Sequence, residues 1–185
     1  TYKGADKLKD KVALITGGDS GIGRAVAVHF AREGATLVIL HHPREEEDAQ
    51  KTQSLVEAEG QPCLLIAGDL KDTSFIEKAV EQITATYPRI NVLVNNAANH
   101  VEQHDFTAIS DQQMRDTFEL NILAMFRLTK LLLPHMKRND CIINTTSVVS
   151  YRGSESLIDY ASTKGAVTAF TRSLSQNLVE KGIRV

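Results

Sequence analysis

Short apolar runs alternate with longer amphipathic segments along nearly the whole chain. Lys11–Thr16 (KVALIT), Thr36–His41 (TLVILH), Pro62–Ala67 (PCLLIA), Ile90–Asn95 (INVLVN) and Cys141–Thr145 (CIINT) are near-continuous apolar runs of strand length. The segments between them have helical spacing. Gly21–Glu33 carries Ile22, Val26 and Phe30 at helix intervals and stops at Gly34, and the glutamate-rich Glu45–Glu59 stops at Gly60. Asp72–Thr86 is a third helix, with Asp72 or Thr73 as its N-cap. After a loop over Asn96–Ile109, one long helix is predicted from Ser110 or Asp111 to just before Asn139, kinked or ended at Pro134. A last helix spans Leu157–Lys181 and stops at Gly182, and Ile183–Val185 opens a sixth strand.

Strands that are apolar on both faces belong to a parallel sheet covered by helices on both sides. Strand–helix alternation joins such strands by right-handed crossovers. The expected fold class is therefore α/β, a doubly wound parallel sheet. Ligands of such sheets bind at the carboxyl ends of the strands, near the point where strand order reverses. The chemistry should lie just after each strand.

Composition narrows the partners. Apolar residues make up 42% of 185, enough for a sizeable core. The 21 basic and 23 acidic residues leave a net charge of −2, which gives no electrostatic basis for a nucleic-acid or membrane partner. No apolar stretch approaches the roughly 18 residues that span a bilayer, and the polar TYKGADKLKDK start has no signal-peptide core. Cys63 and Cys141 each sit in an apolar run, the pattern of buried thiols in a reducing compartment, so a cytoplasmic protein is expected.

The first strand runs into Gly17-Gly18-Asp19-Ser20-Gly21-Ile22-Gly23. Glycines let a phosphate approach the main chain, and the following helix offers free N–H groups and the positive end of its dipole. A bound pyrophosphate is one reading of this turn, and an ordinary tight turn is the other. Where dinucleotide-binding sheets carry an acidic residue to hold the ribose hydroxyls, the second strand here ends in His41, then His42, Pro43 and Arg44. These groups suit a 2′-phosphate while Glu45–Glu47 oppose it, or the His pair is simply a solvated strand end, so NADP or NAD remains open with an inclination to NADP. Asp69-Leu70 follows the third strand and places a carboxylate within reach of an adenine amino group, or simply starts the next helix.

Tyr160 and Lys164 are four apart on one helical face. A tyrosine phenol has a reference pKa near 10, and an ammonium one turn away favours its phenolate. Such a pair is either a general acid–base suited to working pH or an ordinary surface pair at helical spacing. Ser147, at the mouth of the sheet, can donate a hydrogen bond to a substrate oxygen as charge develops there.

The Thr-Gly-xxx-Gly-Ile-Gly turn, Asp69-Leu70, Asn95-Asn96-Ala97-Ala98, and the ordered set Asn121, Ser147, Tyr160 and Lys164 together resemble the short-chain dehydrogenase/reductase family across about residues 8–185. The TGGDSGIG turn and His-His-Pro-Arg-Glu-Glu-Glu-Asp resemble its bacterial branch of glucose/ribitol dehydrogenase-like and general-stress oxidoreductases. The resemblance implies a Rossmann fold and hydride transfer between NAD(P) and an alcohol or carbonyl. It implies catalytic roles for Asn121, Ser147, Tyr160 and Lys164: Tyr160 as acid–base, Ser147 orienting the carbonyl, Lys164 holding the nicotinamide ribose, and Asn121 placing a water. Cofactor contacts implied are Gly17, Asp19, Ser20, Gly21, Ile22, Gly23, His41, Asp69, Leu70, Asn96, Ala97, Ala98, Tyr160 and Lys164. Asn95 would brace the sheet, and Ala98 stands where the family usually has glycine.

The family also implies a homodimer or homotetramer built on the two long helices, about 111–138 and 157–181. Its members continue past Gly-Ile-Arg-Val into a sixth strand, a lid and a seventh strand. Residues 1–185 are therefore expected to form a single dinucleotide-binding and catalytic domain truncated in or before strand six, or to be one part of a longer polypeptide. The competing reading is a non-catalytic NAD(P)-binding or redox-sensing protein on the same fold; a related epimerase or dehydratase is a third. No metal site is expected, since His100 and His104 lie in a loop without a third ligand, on the solvent or substrate side. Tyr151, Arg152 and Glu155 follow Ser147 and hint at a polar substrate.

Overall fold

The apolar runs fold as buried strands: β1 (Val12–Thr16), β2 (Thr36–His41), β3 (Cys63–Ala67), β4 (Val92–Asn95) and β5 (Cys141–Asn144). The computed structural model describes residues 2–185. All pairings are parallel, in the order β3-β2-β1-β4-β5. Strand order reverses between β1 and β4, which opens the crevice where such sheets take ligands.

The intervening segments are α1 (Gly21–Arg32), α2 (Glu46–Ala58), α3 (Thr73–Thr86), α4 (Asp111–Phe118), α5 (Ala124–Leu132), α6 (Val149–Arg152) and α7 (Ile158–Leu178). Strand residues point alternately to opposite faces, so the sheet divides its core in two. Leu14, Val38, Leu40, Leu93 and Ile142 pack with Ile76 and Ile83 of α3 and Leu128 and Leu132 of α5. Ala13, Ile15, Leu37, Ile39 and Val94 pack with Ala27 and Ala31 of α1 and Val56 of α2.

Two expectations need correction. The long helix predicted from Ser110 or Asp111 is two helices, α4 and α5, joined by a π turn over Glu119–Leu123 and ended by a 3-10 turn at Leu133–His135 around Pro134. The last helix stops at Leu178 instead of Lys181. Ile183–Val185 does open a sixth strand beside β5, through one parallel bridge from Arg184 to Cys141. The short α6 has no counterpart in the sequence pattern, since four residues are too few for a helical period to register.

At the amino end of the sheet, away from the crevice, Asp140 is 2% exposed. It accepts hydrogen bonds from Arg89 Nε (3.0 Å) and Nη2 (2.8 Å), Asn91 Nδ2 (2.9 Å) and the Lys137 amide (2.6 Å). Asn91 Oδ1 in turn accepts from the Val12 amide at 2.9 Å, so the network ties β5, β4 and β1 together. Asp140→Ala strands buried donors and is expected to lower unfolding free energy by about 2–4 kcal/mol. A urea titration of the parent and variant measures this.

Candidate active site

The glycine turn closes the crevice floor. Gly17 has φ +62°, and a Cβ at Gly23 would lie 2.0 Å from the Gly17 carbonyl oxygen, so α1 begins where only glycine lets it cross the turn. Ser20 occupies the N-cap of α1 without capping it, and no acidic residue stands in the first turn. The Ser20 hydroxyl donates instead to Asp19 Oδ2 at 2.9 Å. The first-turn N–H groups are thus left without an acidic or capping side chain, as an anion-binding helix start requires. Gly21 has no atom within 4 Å of an added Cβ, leaving open space above the turn. Ile22 is exposed and Asp19 is buried.

A ladder of polar side chains crosses the strand ends from here. Thr16 Oγ1 accepts from the amides of Asn96 and Ala97, both at 3.0 Å. Asn96 Nδ2 donates to the Gly17 carbonyl (3.1 Å), and its Oδ1 accepts from Thr145 Oγ1 (3.3 Å). Asn95 Nδ2 donates to Thr129 Oγ1 (3.2 Å) and Asn144 Oδ1 (2.8 Å), which braces β4 against β5 and α5. The side chain of Asn96 therefore holds the glycine turn from within. Ala98 is exposed at the crevice.

His41 ends β2 with a side chain 1% exposed. Its Nε2 lies 3.6 Å from Glu46 Oε2 and has no hydrogen-bond partner, and its Nδ1 is 3.1 Å from the His42 carbonyl. His42 Nδ1 accepts from the Arg44 amide at 3.2 Å. Arg24, the basic group nearest the turn in sequence, is committed elsewhere: it donates to the Asp19 carbonyl, Thr52 Oγ1 and Asp48 Oδ1. Asp69 Oδ1 accepts from the Lys71 amide at 2.9 Å in a tight turn, and Leu70 is buried.

Lys164 and Tyr160 share one face of α7. Lys164 is 3% exposed, donates from Nζ to the Thr145 carbonyl at 2.8 Å, and lies 5.5 Å from the centre of the Tyr160 ring. Burial disfavours its charge and pulls its pKa down from 10.5 to about 8. Ser147 is half-buried between β5 and α6, which packs on α7, and its Oγ accepts from the Val149 amide at 3.4 Å.

Asn121 sits within the π turn, a rare helix distortion that concentrates at functional sites. It is 3% exposed. Its Oδ1 accepts from the Asn99 amide and its Nδ2 donates to the Asn99 carbonyl, both at 2.9 Å. That clamp fixes the loop after β4 and brings the next residue, His100, edge-on to the Tyr160 ring at 5.4 Å between centroids. A small cavity of about 10 Å³, room for about one water molecule, is lined by Asn121, Lys164, Thr145, Thr16 and Asn95 among others.

Residues 16–23, 95–100, 121, 145–147 and 160–164 thus converge at the carboxyl ends of β1, β4 and β5. His100, in sequence only a loop residue, touches the tyrosine ring. Asp159, adjacent to Tyr160 and 5% exposed, lies at the same helix start and was not singled out from the sequence. The available signal was a carboxylate between apolar Leu157-Ile158 and Tyr160 in a helix's first turn. Among the described residues no three His, Cys, Asp or Glu side chains gather as metal ligands.

The profile of the short chain dehydrogenase family matches residues 11–185. The chain is 53% identical over 183 residues to the uncharacterized oxidoreductase YhxC of Bacillus subtilis, covering 99% of this chain and 64% of that protein. It is 43% identical over 189 positions to glucose and ribitol dehydrogenase of Daucus carota, covering 100% of this chain and 65% of that one. Among solved structures, a short chain dehydrogenase from Burkholderia cenocepacia in complex with NADP superposes with a TM-score of 0.91 at 28% identity, over 97% of this chain and 73% of the other. The chain spans a little under two thirds of the length of the curated relatives it matches.

Proposed function

We propose a reading that starts from one fact: this chain belongs to the short chain dehydrogenase family. The protein is an oxidoreductase that exchanges a hydride between a nicotinamide dinucleotide and an alcohol or carbonyl. The observation that carries it is the convergence of Tyr160, Lys164 and the Asn121 clamp on the same crevice mouth as the uncapped glycine turn.

The bound cofactor supplies the hydride. The residues that would hold it are Gly17, Asp19, Ser20, Gly21, Ile22 and Gly23 at the pyrophosphate, Asp69 and Leu70 at the adenine, Asn96, Ala97 and Ala98 near the ribose, and Tyr160 and Lys164 at the nicotinamide ribose. His41 ends β2 at the adenosine end, with its buried Nε2 turned toward Glu46.

In reduction, Tyr160 transfers its phenolic proton to the carbonyl oxygen as the carbon accepts hydride. Ser147 donates a hydrogen bond to the same oxygen while negative charge builds on it. Lys164 supplies the positive charge that favours the phenolate left behind, and the cavity shared by Asn121 and Lys164 is a place for the water that returns a proton. In oxidation the steps reverse.

The cofactor is NADP in preference to NAD. No carboxylate ends β2, and the Burkholderia relative binds NADP. The substrate is a small alcohol or carbonyl compound, and the active form is a homodimer or homotetramer. Leu123 and Phe126, 42% and 48% exposed around the start of α5, with Phe126 against Phe170 of α7 at 4.1 Å, offer an apolar face for a second copy. No helix among the described residues is long and apolar enough to cross a membrane. We place the protein in the cytoplasm, on the ground that Cys63 and Cys141 are both free thiols, with burial pushing Cys63 up to about 12.

Turnover of aldehydes, ketones, aldoses and polyols by the full-length protein tests the reading. Nicotinamide absorbance should change with at least one class, and faster with NADPH or NADP than with NADH or NAD. No hydride transfer with any class would overturn the enzymatic reading in favour of a binding protein.

A further inference from the structure

We propose that Asp159 is the positioning residue for Tyr160, bolting the first turn of α7 to α4 and through it to the loop over residues 99–103. The inference rests on the reading of Tyr160 as the acid–base.

A helix start leaves its first N–H groups without partners, and the Leu157 N-cap of α7 offers no side-chain acceptor. Asp159 supplies one from inside the first turn. Its Oδ1 accepts from the Tyr160 amide at 2.9 Å. Its Oδ2 faces α4, where Thr117 Oγ1 lies at 2.9 Å and Gln113 Nε2 at 3.2 Å. The Thr117 hydroxyl has a second acceptor in reach, the Gln113 carbonyl at 2.9 Å, but an ionised carboxylate is the stronger acceptor.

The same node reaches the loop. The second Gln113 Nε2 proton points to the Val101 carbonyl at 3.4 Å, and Gln113 Oε1 accepts from Gln103 Nε2 at 3.2 Å. The Gln103 amide donates to the Ser156 carbonyl at 2.9 Å, three residues before Asp159, which closes a ring of contacts.

A carboxylate this buried is costly unless its hydrogen bonds are satisfied. Among the described residues Asp159 has neutral donors and no basic partner. Of these contacts one holds the Tyr160 amide and two reach α4, so the side chain ties the start of the Tyr160 turn to that helix. Thr163, one turn on, adds a second hold: its hydroxyl donates to the Tyr160 carbonyl at 2.7 Å and accepts from Asn121 Nδ2 at 3.2 Å.

The test uses full-length protein carrying Asp159→Ala, Asp159→Asn, Thr117→Val, the Asp159→Ala/Thr117→Val pair and Tyr160→Phe. Misplacing a reacting group by about 1 Å can cost about a hundredfold in rate. Asp159→Ala is therefore expected to lower kcat tenfold to a hundredfold, on the order of that effect, with dinucleotide affinity unchanged. Asp159→Asn, which keeps one acceptor oxygen, should recover part of the loss. Thr117→Val should lower kcat in the same direction, and the double variant should lose no more than Asp159→Ala alone, since both remove one contact. An unchanged kcat per folded molecule, or fully additive losses, overturns the proposal. If Asp159→Ala does not fold, Thr117→Val and Asp159→Asn still decide it. Turnover surviving in Tyr160→Phe would instead overturn the functional reading itself, whatever the Asp159 variants do.

Discussion

Tyr160→Phe is expected to lower kcat by roughly 10²–10⁴-fold, the usual contribution of a positioned general acid–base. The substitution removes one oxygen and keeps the ring. Phenylalanine still packs edge-on to His100 and still lies beside Lys164, so the fold and the dinucleotide site should be preserved. The expected signature is therefore a loss falling mainly on turnover: an unchanged urea midpoint, dinucleotide binding by fluorescence that stays nearly intact because Lys164 and the glycine turn remain, and single-turnover hydride transfer too slow to support catalysis. Substantial residual turnover would remove Tyr160 from its proposed role, and with it the reason for placing Ser147 and Lys164 around it.

The second large effect is expected at Lys164, and it has two opposite parts. Lys164→Met should lower kcat by about 10²–10³-fold, the scale for losing one charge-stabilising group at a reacting oxygen. The same substitution should leave stability at pH 7 unchanged or increased. Burial pulls the Lys164 pKa from 10.5 down to about 8, which costs the folded state about 3 kcal/mol while the lysine is charged. Methionine removes that cost. It also strands the Thr145 carbonyl, a loss of about 1–3 kcal/mol, so the two contributions nearly offset or leave a gain.

The sign is also visible in pH dependence. Between about pH 8 and 10.5 the unfolded chain holds the Lys164 proton and the folded chain has lost it, so this group's contribution makes the parent more stable as pH rises through that window. Below about pH 8 the penalty is present in full. Lys164→Met should abolish this rise, so the parent should gain stability relative to the variant from about pH 7 to about pH 10. A parallel pair of curves would mean that Lys164 is not held at a depressed pKa.

Much of this was legible in the sequence because it is encoded locally. The five apolar runs became five parallel strands with bounds shifted by at most two residues, since a strand buried on both faces needs nothing but a short apolar run. The glycine turn was legible because only glycine fits where a Cβ at Gly23 would meet the Gly17 carbonyl. Tyr160 and Lys164 share a face by helical spacing alone.

The π turn was not legible. Phe118, Ile122, Met125 and Leu132 fit one continuous apolar stripe, and the widened turn between α4 and α5 leaves no mark in that spacing. Nor did spacing reveal the Asn99 clamp or the Asp159 node, whose partners lie 22 and 42 residues away in the chain. The sequence by itself determined the strands, the order of helices and the chemical kinds of group at each strand end, because periodicity and backbone freedom act over a few residues. Only the tertiary structure decided that Asn121 turns inward, that Lys164 loses water and with it part of its basicity, that His100 meets Tyr160 and that His41 is buried. Each of those depends on which distant groups fill the space around a side chain, and so on desolvation and hydrogen-bond partners that no local pattern specifies.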